Sequence, residues 1–241
     1  FSPFNETAES AVTRLLRMAR SSLKKDGVIV IAIENRLGLK YLYGAGEDHY
    51  GTAFEGIHGY PNYAGIKTWS QREWSSLLQE TALEFEFLYP FPDYKLPSLI
   101  LSKHYLDQNS DAWAHLASIS FRDYHNLASF PDTLPFWETV QQAGCLGEFS
   151  NSFLIVAGDS KNQIEQVAAF DFLHTSGLAR RPEYRTITRK ARGTTTVEKI
   201  SLYPWLPTAN TAPISHHITI EPFQKGIPLS TIWIQRLQID P

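Results

Sequence analysis

Residues 24–35 read Lys-Lys-Asp-Gly-Val-Ile-Val-Ile-Ala-Ile-Glu-Asn, and the six apolar residues Val28 to Ile33 decide the fold class. They are apolar without alternation, the pattern of a strand covered on both faces, as in a parallel sheet flanked by helices. Upstream, Val12, Leu15, Leu16, Ala19 and Leu23 recur at spacings of three and four, giving one apolar stripe on a helix. Asn5 is placed to cap this helix, Glu6 and Glu9 suit its positive end and Lys24-Lys25 its negative end. Gly27 is the expected left-handed stop. Helix, Lys-Asp-Gly, then a doubly buried strand predicts the second half of an α/β repeat in a parallel sheet.

Downstream of that strand, residues 34–67 show no usable period, and a loop of this length inside a compact domain points to function. Ser70-Gln71-Arg72-Glu73 is a capping box, and Trp74, Leu77, Leu78 and Ala82 give the helix it opens an apolar face. Glu84 to Tyr89 alternates like a strand with one wet face. Leu99-Ile100-Leu101 reads as its antiparallel neighbour at a sheet edge, reached through a Pro-bracketed segment, Pro90 to Pro97. Residues 106–150 are polar with scattered aromatics and predict a connecting region of short helices. Strands are then expected at Ser152–Ala157, Gln166–Leu173, Tyr184–Arg189, Thr194–Ile200 and His217–Ile220, and a helix at Leu229–Leu237. The expected organisation is α/β: a partial Rossmann-like sheet over 1–105, the connection 106–150, and a smaller α+β unit over 151–241.

Composition excludes several classes of function. The 241 residues carry 22 Lys+Arg against 25 Asp+Glu, a net charge of −3, which argues against a non-specific nucleic-acid binder. With 43% hydrophobic and 20% charged residues the chain has globular composition, and no apolar run approaches a membrane span. The single cysteine, Cys145, rules out an internal disulfide and predicts a reducing, cytoplasmic location. The chain opens on Phe-Ser-Pro-Phe rather than Met and ends on Ile-Asp-Pro, which reads as a piece of a longer polypeptide. The eight histidines show no repeated ligand spacing and no Cys partner motif, so no metal is predicted.

Several blocks in order carry a more specific signal. Ile31-Ala32-Ile33-Glu34-Asn35-Arg36-Leu37-Gly38-Leu39-Lys40-Tyr41, Glu47-Asp48-His49, Gly56-Ile57 with Gly59-Tyr60, and Tyr89-Pro90-Phe91-Pro92-Asp93-Tyr94-Lys95-Leu96-Pro97 resemble bacterial proteins with a class I S-adenosylmethionine-dependent methyltransferase domain, often encoded among cell-surface polysaccharide genes. The resemblance covers about residues 1–105. It implies that Val28 to Ile33 is the fifth strand of a seven-stranded sheet, with Glu84–Tyr89 and Pro97–Ser102 as the last two and the final one antiparallel. It also implies S-adenosylmethionine as cofactor and a sugar or polysaccharide precursor as methyl acceptor.

The sequence departs from that family where the cofactor is held. No Gly-rich turn follows a first strand and no acidic residue follows a second. Gly44-Ala45-Gly46 lies downstream of the fifth strand and lacks a third glycine. The expected protein is thus the carboxyl half of a methyltransferase, inactive alone, with an apolar sheet edge that predicts self-association.

Open α/β sheets bind ligands beyond the carboxyl ends of their strands, where Glu34 and Asn35 fall. Glu34 is a candidate base or acceptor-orienting group and Asn35 a candidate hydrogen-bonding group, with backbone capping and turn formation as the alternatives. Asp48 and His49 are a candidate acid–base pair, with a structural role as the alternative. Lys40, Tyr60, Asp93, Tyr94 and Lys95 are candidate substrate-binding groups.

A second, shorter resemblance runs through Arg181 to Thr186 with Thr188, Val197-Glu198-Lys199, and Glu221-Pro222-Phe223 with Gly226 and Leu229. It is similar to the small lobe of a kinase-like fold, and implies a nucleotide-pairing role for Lys199. The chain has no Gly-rich phosphate loop before Lys199 and neither a His-Arg-Asp-like catalytic loop nor an Asp-Phe-Gly, so a competent kinase is not expected. A non-catalytic binding or scaffolding module in glycan assembly, or part of a nucleotide-dependent phosphotransferase, are the rival readings.

Overall fold

The computed structural model describes residues 7–63, 65–119, 132–176, 180–205, 220–224 and 226. Asn5 and the segment Leu229–Leu237 lie outside the described residues, as do His125, His216, His217 and Leu229. The architecture is mixed α/β: an open eight-stranded antiparallel sheet with helices packed on it. Helices α1 (Ala8–Ser21), α2 (Leu39–Leu42), α3 (Gln71–Glu80), α4 (Lys103–Gln108), α5 (Leu134–Gln142) and α6 (Lys161–Ala168) accompany strands β1 (Ile29–Glu34), β2 (Glu84–Phe91), β3 (Leu99–Ser102), β4 (Ser152–Gly158), β5 (Phe170–Thr175), β6 (Thr186–Ala191), β7 (Thr196–Ser201) and β8 (Ile220–Pro222). The strand order is β1-β4-β2-β3-β5-β6-β7-β8. Among the described residues no helix is long and apolar enough to cross a membrane.

This topology corrects the parallel-sheet expectation. β1 pairs antiparallel with β4, from Ile29↔Ala157 to Glu34↔Ser152, and β4 pairs antiparallel with β2, from Glu84↔Gly158 to Leu88↔Leu154. β1 and β2 therefore run in the same direction with β4 reversed between them. β1 is also not covered on both faces. Ile29, Ile31 and Ile33 pack toward the main core, whereas Val30 and Ala32 are exposed. An unbroken apolar run hides this alternation, because Val and Ala are tolerated on an open face.

The antiparallel pairing of β2 with β3, Leu88↔Ser102 to Phe91↔Leu99, matches the expected hairpin, but β3 also pairs antiparallel with β5 on its other side, so the pair lies inside the sheet rather than at its edge. Because β4 to β8 belong to the same sheet as β1 to β3, the expected boundary between 1–105 and 151–241 does not divide it. Gln166 to Ala168, expected in a strand, close α6 instead. Ser160 accepts from the Gln163 backbone N–H and the Gln163 side chain returns to Ser160, a capping box that fixes the helix start.

Local signals elsewhere act as expected or are displaced by a few residues. Ser70 and Glu73 form the predicted box at the start of α3, and Trp74, Leu77 and Leu78 are buried. The cap of α1 is Thr7, whose Oγ1 accepts from the Ser10 N–H at 3.2 Å. α1 stops at Ser21, before Gly27, because the hydroxyls of Ser21 and Ser22 both bond back to the Met18 carbonyl, at 2.8 and 2.9 Å.

The main core lies on one sheet face. Phe87, Tyr89 and Phe91 of β2, Leu99 and Leu101 of β3 and Phe153 and Ile155 of β4 meet Leu16, Trp74, Leu78, Tyr105 and Trp137 from the helices. The opposite face is covered by α6, where Leu88 and Val156 pack with Ile164, Ala168 and Phe170. Residues directly opposite in an antiparallel pair share a face. Glu34, opposite Ser152, thus belongs to the second face, and Tyr89 to the first.

Candidate functional site

Glu34 ends β1, and the segment after β2 supplies Asp93, Tyr94 and Lys95, so the two parallel-running strands deliver their next residues to one place. Two buried amides hold that place. Asn35 is fully buried; its Nδ2 donates to the carbonyls of Glu148 and Ser150, both at 2.7 Å, and its Oδ1 accepts from the Leu37 N–H at 3.0 Å. Asn151 Oδ1 accepts from the Lys40 N–H at 2.9 Å and its Nδ2 donates to the Pro92 carbonyl at 3.0 Å, tying the loop after β1 to the loop after β2. Gly38 is required where this loop passes Asn151: a Cβ there would lie 2.9 Å from the Asn151 Cα.

On this frame sits a cluster of five charged and phenolic groups around Asp48. Lys40 Nζ donates to Asp48 Oδ2 at 2.7 Å, with side-chain exposures of 6% and 9%, and Tyr41 Oη donates to the same oxygen. Lys95 Nζ lies 2.8 Å from Asp48 Oδ1 and 3.3 Å from Glu34 Oε1. Tyr94 Oη donates to Glu34 Oε1 at 2.9 Å. Lys40 also stands 4.7 Å from the centre of the Tyr41 ring.

The electrostatics follow from this packing. Burial alone would raise the Asp48 pKa, but the Lys40 ammonium and the hydrogen bonds from Lys40, Lys95 and Tyr41 outweigh it and hold the carboxyl well below the usual range. Burial favours the neutral Lys95 amine, yet its hydrogen bond and charge interaction with Asp48, reinforced by Glu34, raise its pKa above the ordinary value. Tyr94 is pushed up to about 12 by burial and by its hydrogen bond to Glu34, so it remains a donor at neutral pH. Tyr41 is raised well above its ordinary value by burial and by Asp48.

His49 does not pair with Asp48. Its Nδ1 lies 2.9 Å from Glu47 Oε1 and its backbone N–H donates to Glu47 Oε2 at 2.7 Å. Neighbouring side chains in this turn leave in different directions, so Asp48 faces the lysines while Glu47, buried to 2% exposure, takes the histidine. Tyr60 belongs to this second group: its Oη donates to Glu47 Oε1 at 3.2 Å and lies 2.6 Å from Thr68 Oγ1. Its backbone is left-handed, φ 61°, a strain held in place by these contacts and by burial. Burial raises the Tyr60 pKa, its hydrogen bonds with Thr68 working the other way.

The predicted residues therefore divide. Glu34, Lys40, Asp48, Tyr94 and Lys95 are brought together, while His49 and Tyr60 adjoin through Glu47. Asp93 is a turn-forming residue, its Oδ1 accepting from the Lys95 N–H at 2.8 Å. Lys199 is exposed on β7, seventh in the strand order, while Glu34 is on β1 at the opposite edge. Tyr41 and Glu47 are the members that site reasoning from the sequence missed. Both lie inside the quoted blocks, and a glutamate two residues before a histidine was the available signal for the second.

Chemically, the cluster holds two carboxylates against two ammonium groups. Asp48 has both oxygens occupied and is a poor proton acceptor. Glu34 has hydrogen bonds at Oε1 only; Oε2 receives none from a described residue. Among the described residues no group of three or more His, Cys, Asp and Glu is arranged to hold a metal ion. Comparisons of the chain with protein-family models, with curated proteins and with solved structures find no match.

Proposed function

We propose that this chain is the carboxyl-terminal, acceptor-side part of an S-adenosylmethionine-dependent methyltransferase acting on a hydroxyl of a sugar or polysaccharide precursor. The observation that carries the reading is the placement of Glu34, with Oε2 uncommitted, beyond the carboxyl ends of two strands that run in the same direction across a reversed one.

The cofactor supplies a methyl group made electrophilic by its sulfonium. The residues around Glu34 fit the acceptor rather than the cofactor, since the cluster offers a carboxylate and no glycine-rich turn. Glu34 accepts the proton of the acceptor hydroxyl at Oε2. Tyr94 and Lys95, both on Oε1, fix the carboxylate's orientation, and Lys95 is held in turn by Asp48. Asp48 and Lys40 form the buried support of this arrangement.

The test uses the full-length gene product. Calorimetry should detect S-adenosylmethionine binding, and a methyl-labelled cofactor should transfer label to a nucleotide- or lipid-linked sugar. Glu34→Gln should leave cofactor binding intact and lower transfer by roughly 10²-fold or more. A folded full-length protein that binds no S-adenosylmethionine would overturn the reading.

A further inference from the structure

Cations are unevenly spread along the chain. Residues 180–199 hold seven of the 22 Lys and Arg but only two of the 25 acidic residues, Glu183 and Glu198, so the rest of the chain carries the acidic excess. Three of the seven are answered by carboxylates: Arg189 by Glu198 at 2.9 Å, Arg192 by Glu86 at 2.6 Å, and Lys190 by Asp171. Arg180, Arg181 and Lys199 are exposed, and none of them forms an ion pair with a described carboxylate.

The open end of the β6–β7 hairpin brings these charges beside aromatic side chains. Thr186 faces Ser201 across the pair, and just beyond it the Leu202 N–H donates to the Arg185 carbonyl at 2.9 Å. The segment 202–205 therefore leaves the sheet beside the single helical turn Pro182–Tyr184. Arg185 Nε donates to the Arg180 carbonyl, and the Tyr184 N–H to the Arg181 carbonyl, both at 2.9 Å, which folds the arginine run against this end. The rings of Tyr203 and Trp205 meet edge to face with centres 5.6 Å apart. Trp205 is 71% exposed, more than any other large apolar side chain among the described residues.

We propose that this end of the sheet is a docking surface for an anionic phospholipid membrane. Arg180, Arg181 and Arg185 match headgroup phosphates, and Glu183 is the one acid in their run. An exposed indole beside the uncharged Leu202-Tyr203-Pro204 segment suits the headgroup boundary, where the ring leaves water while its N–H stays hydrogen-bonded. The acidic excess elsewhere is repelled by the same surface and turns this end toward it. Such a protein lies on the membrane rather than crossing it. β6 and β7 are sixth and seventh in the strand order, and Glu34 is on β1 at the opposite edge. The inference does not rest on the methyltransferase reading.

The test is co-sedimentation of the 241-residue chain with vesicles of equal parts phosphatidylglycerol and phosphatidylcholine, with pure phosphatidylcholine as the uncharged control. The mixed vesicles should bind about tenfold or more tightly, and raising the salt from roughly 0.1 M to 1 M should abolish the difference. The double substitution Arg180→Gln with Arg181→Gln should weaken binding about tenfold or more, and Trp205→Ala should weaken it several-fold, both with Tm retained. Equal binding to the two vesicles, or affinity indifferent to both variants, would overturn the proposal. So would binding of polyuridylate in place of the vesicles, which would assign the cations to a single-stranded nucleic acid.

Discussion

Replacing Lys40 by methionine isolates the energetics of the buried cluster. The methionine keeps the length of the stem, while Asp48 loses one of three donors in a setting where both side chains are under one-tenth exposed. Breaking a buried pair by removing one partner costs about 3–5 kcal/mol, because the remaining charge stays buried. Asp48 retains Lys95 and Tyr41, so the expected cost lies at the lower end, about 3 kcal/mol, or roughly 6–12 °C in Tm for a chain of this size. Urea unfolding monitored by tryptophan fluorescence measures it.

The pH dependence gives an independent check. The folded-state pKa of Asp48 is depressed, so its contribution to stability is present above its unfolded pKa of about 3.9 and is lost as pH falls toward the folded value. That loss reaches about 1.4 kcal/mol per pH unit in the native protein. In Lys40→Met the carboxyl titrates nearer its ordinary value, so the gap between the two proteins should narrow on acidification below about pH 4. Combining Lys40→Met with Asp48→Asn should recover at least half of the loss, since a neutral amide carries no uncompensated charge. A cost below about 0.5 kcal/mol, the scale of an exposed pair, would refute the reasoning.

Further outcomes follow from individual contacts. Asn35→Ala removes three hydrogen bonds at a fully buried position and should cost about 3 kcal/mol by the same urea assay, with loss of any Glu34-dependent activity. Gly147→Ala forces the buried Tyr89 ring to move and should cost about 1–3 kcal/mol, visible in near-ultraviolet circular dichroism as an altered tyrosine environment. Ser70→Ala removes one half of the α3 capping box and should cost about 1 kcal/mol, read as a lowered Tm.

Signals carried by neighbours along the chain were legible. Ser70 and Glu73 satisfy each other within a single turn, and the α3 stripe of Trp74, Leu77 and Leu78 follows from helical periodicity, so both needed only local sequence. Most of the residues that gather in the cluster at the end of β1 were also named from the sequence, because Glu34, Lys40, Asp48, Tyr94 and Lys95 all fall within the quoted blocks. Which side chain meets which was not. Asp48 precedes His49 in sequence, yet the turn sends it to Lys40, Tyr41 and Lys95 and leaves His49 to Glu47. The α6 box at Ser160 and Gln163 was equally local but lay in a stretch whose Val167 and Phe170 also suit a strand.

By itself the sequence determined a charge-balanced mixed α/β chain, most of its strand positions, and the residues that crowd the end of β1. Only the tertiary structure decided that β4 enters between β1 and β2, reversed, and that β5 to β8 extend the same sheet beyond β3. The physical reason is distance along the chain. Strand order is set by which apolar faces and hydrogen-bonding edges meet, as when Asn35 finds the Ser150 carbonyl 115 positions away, and an apolar run carries no mark of its partner.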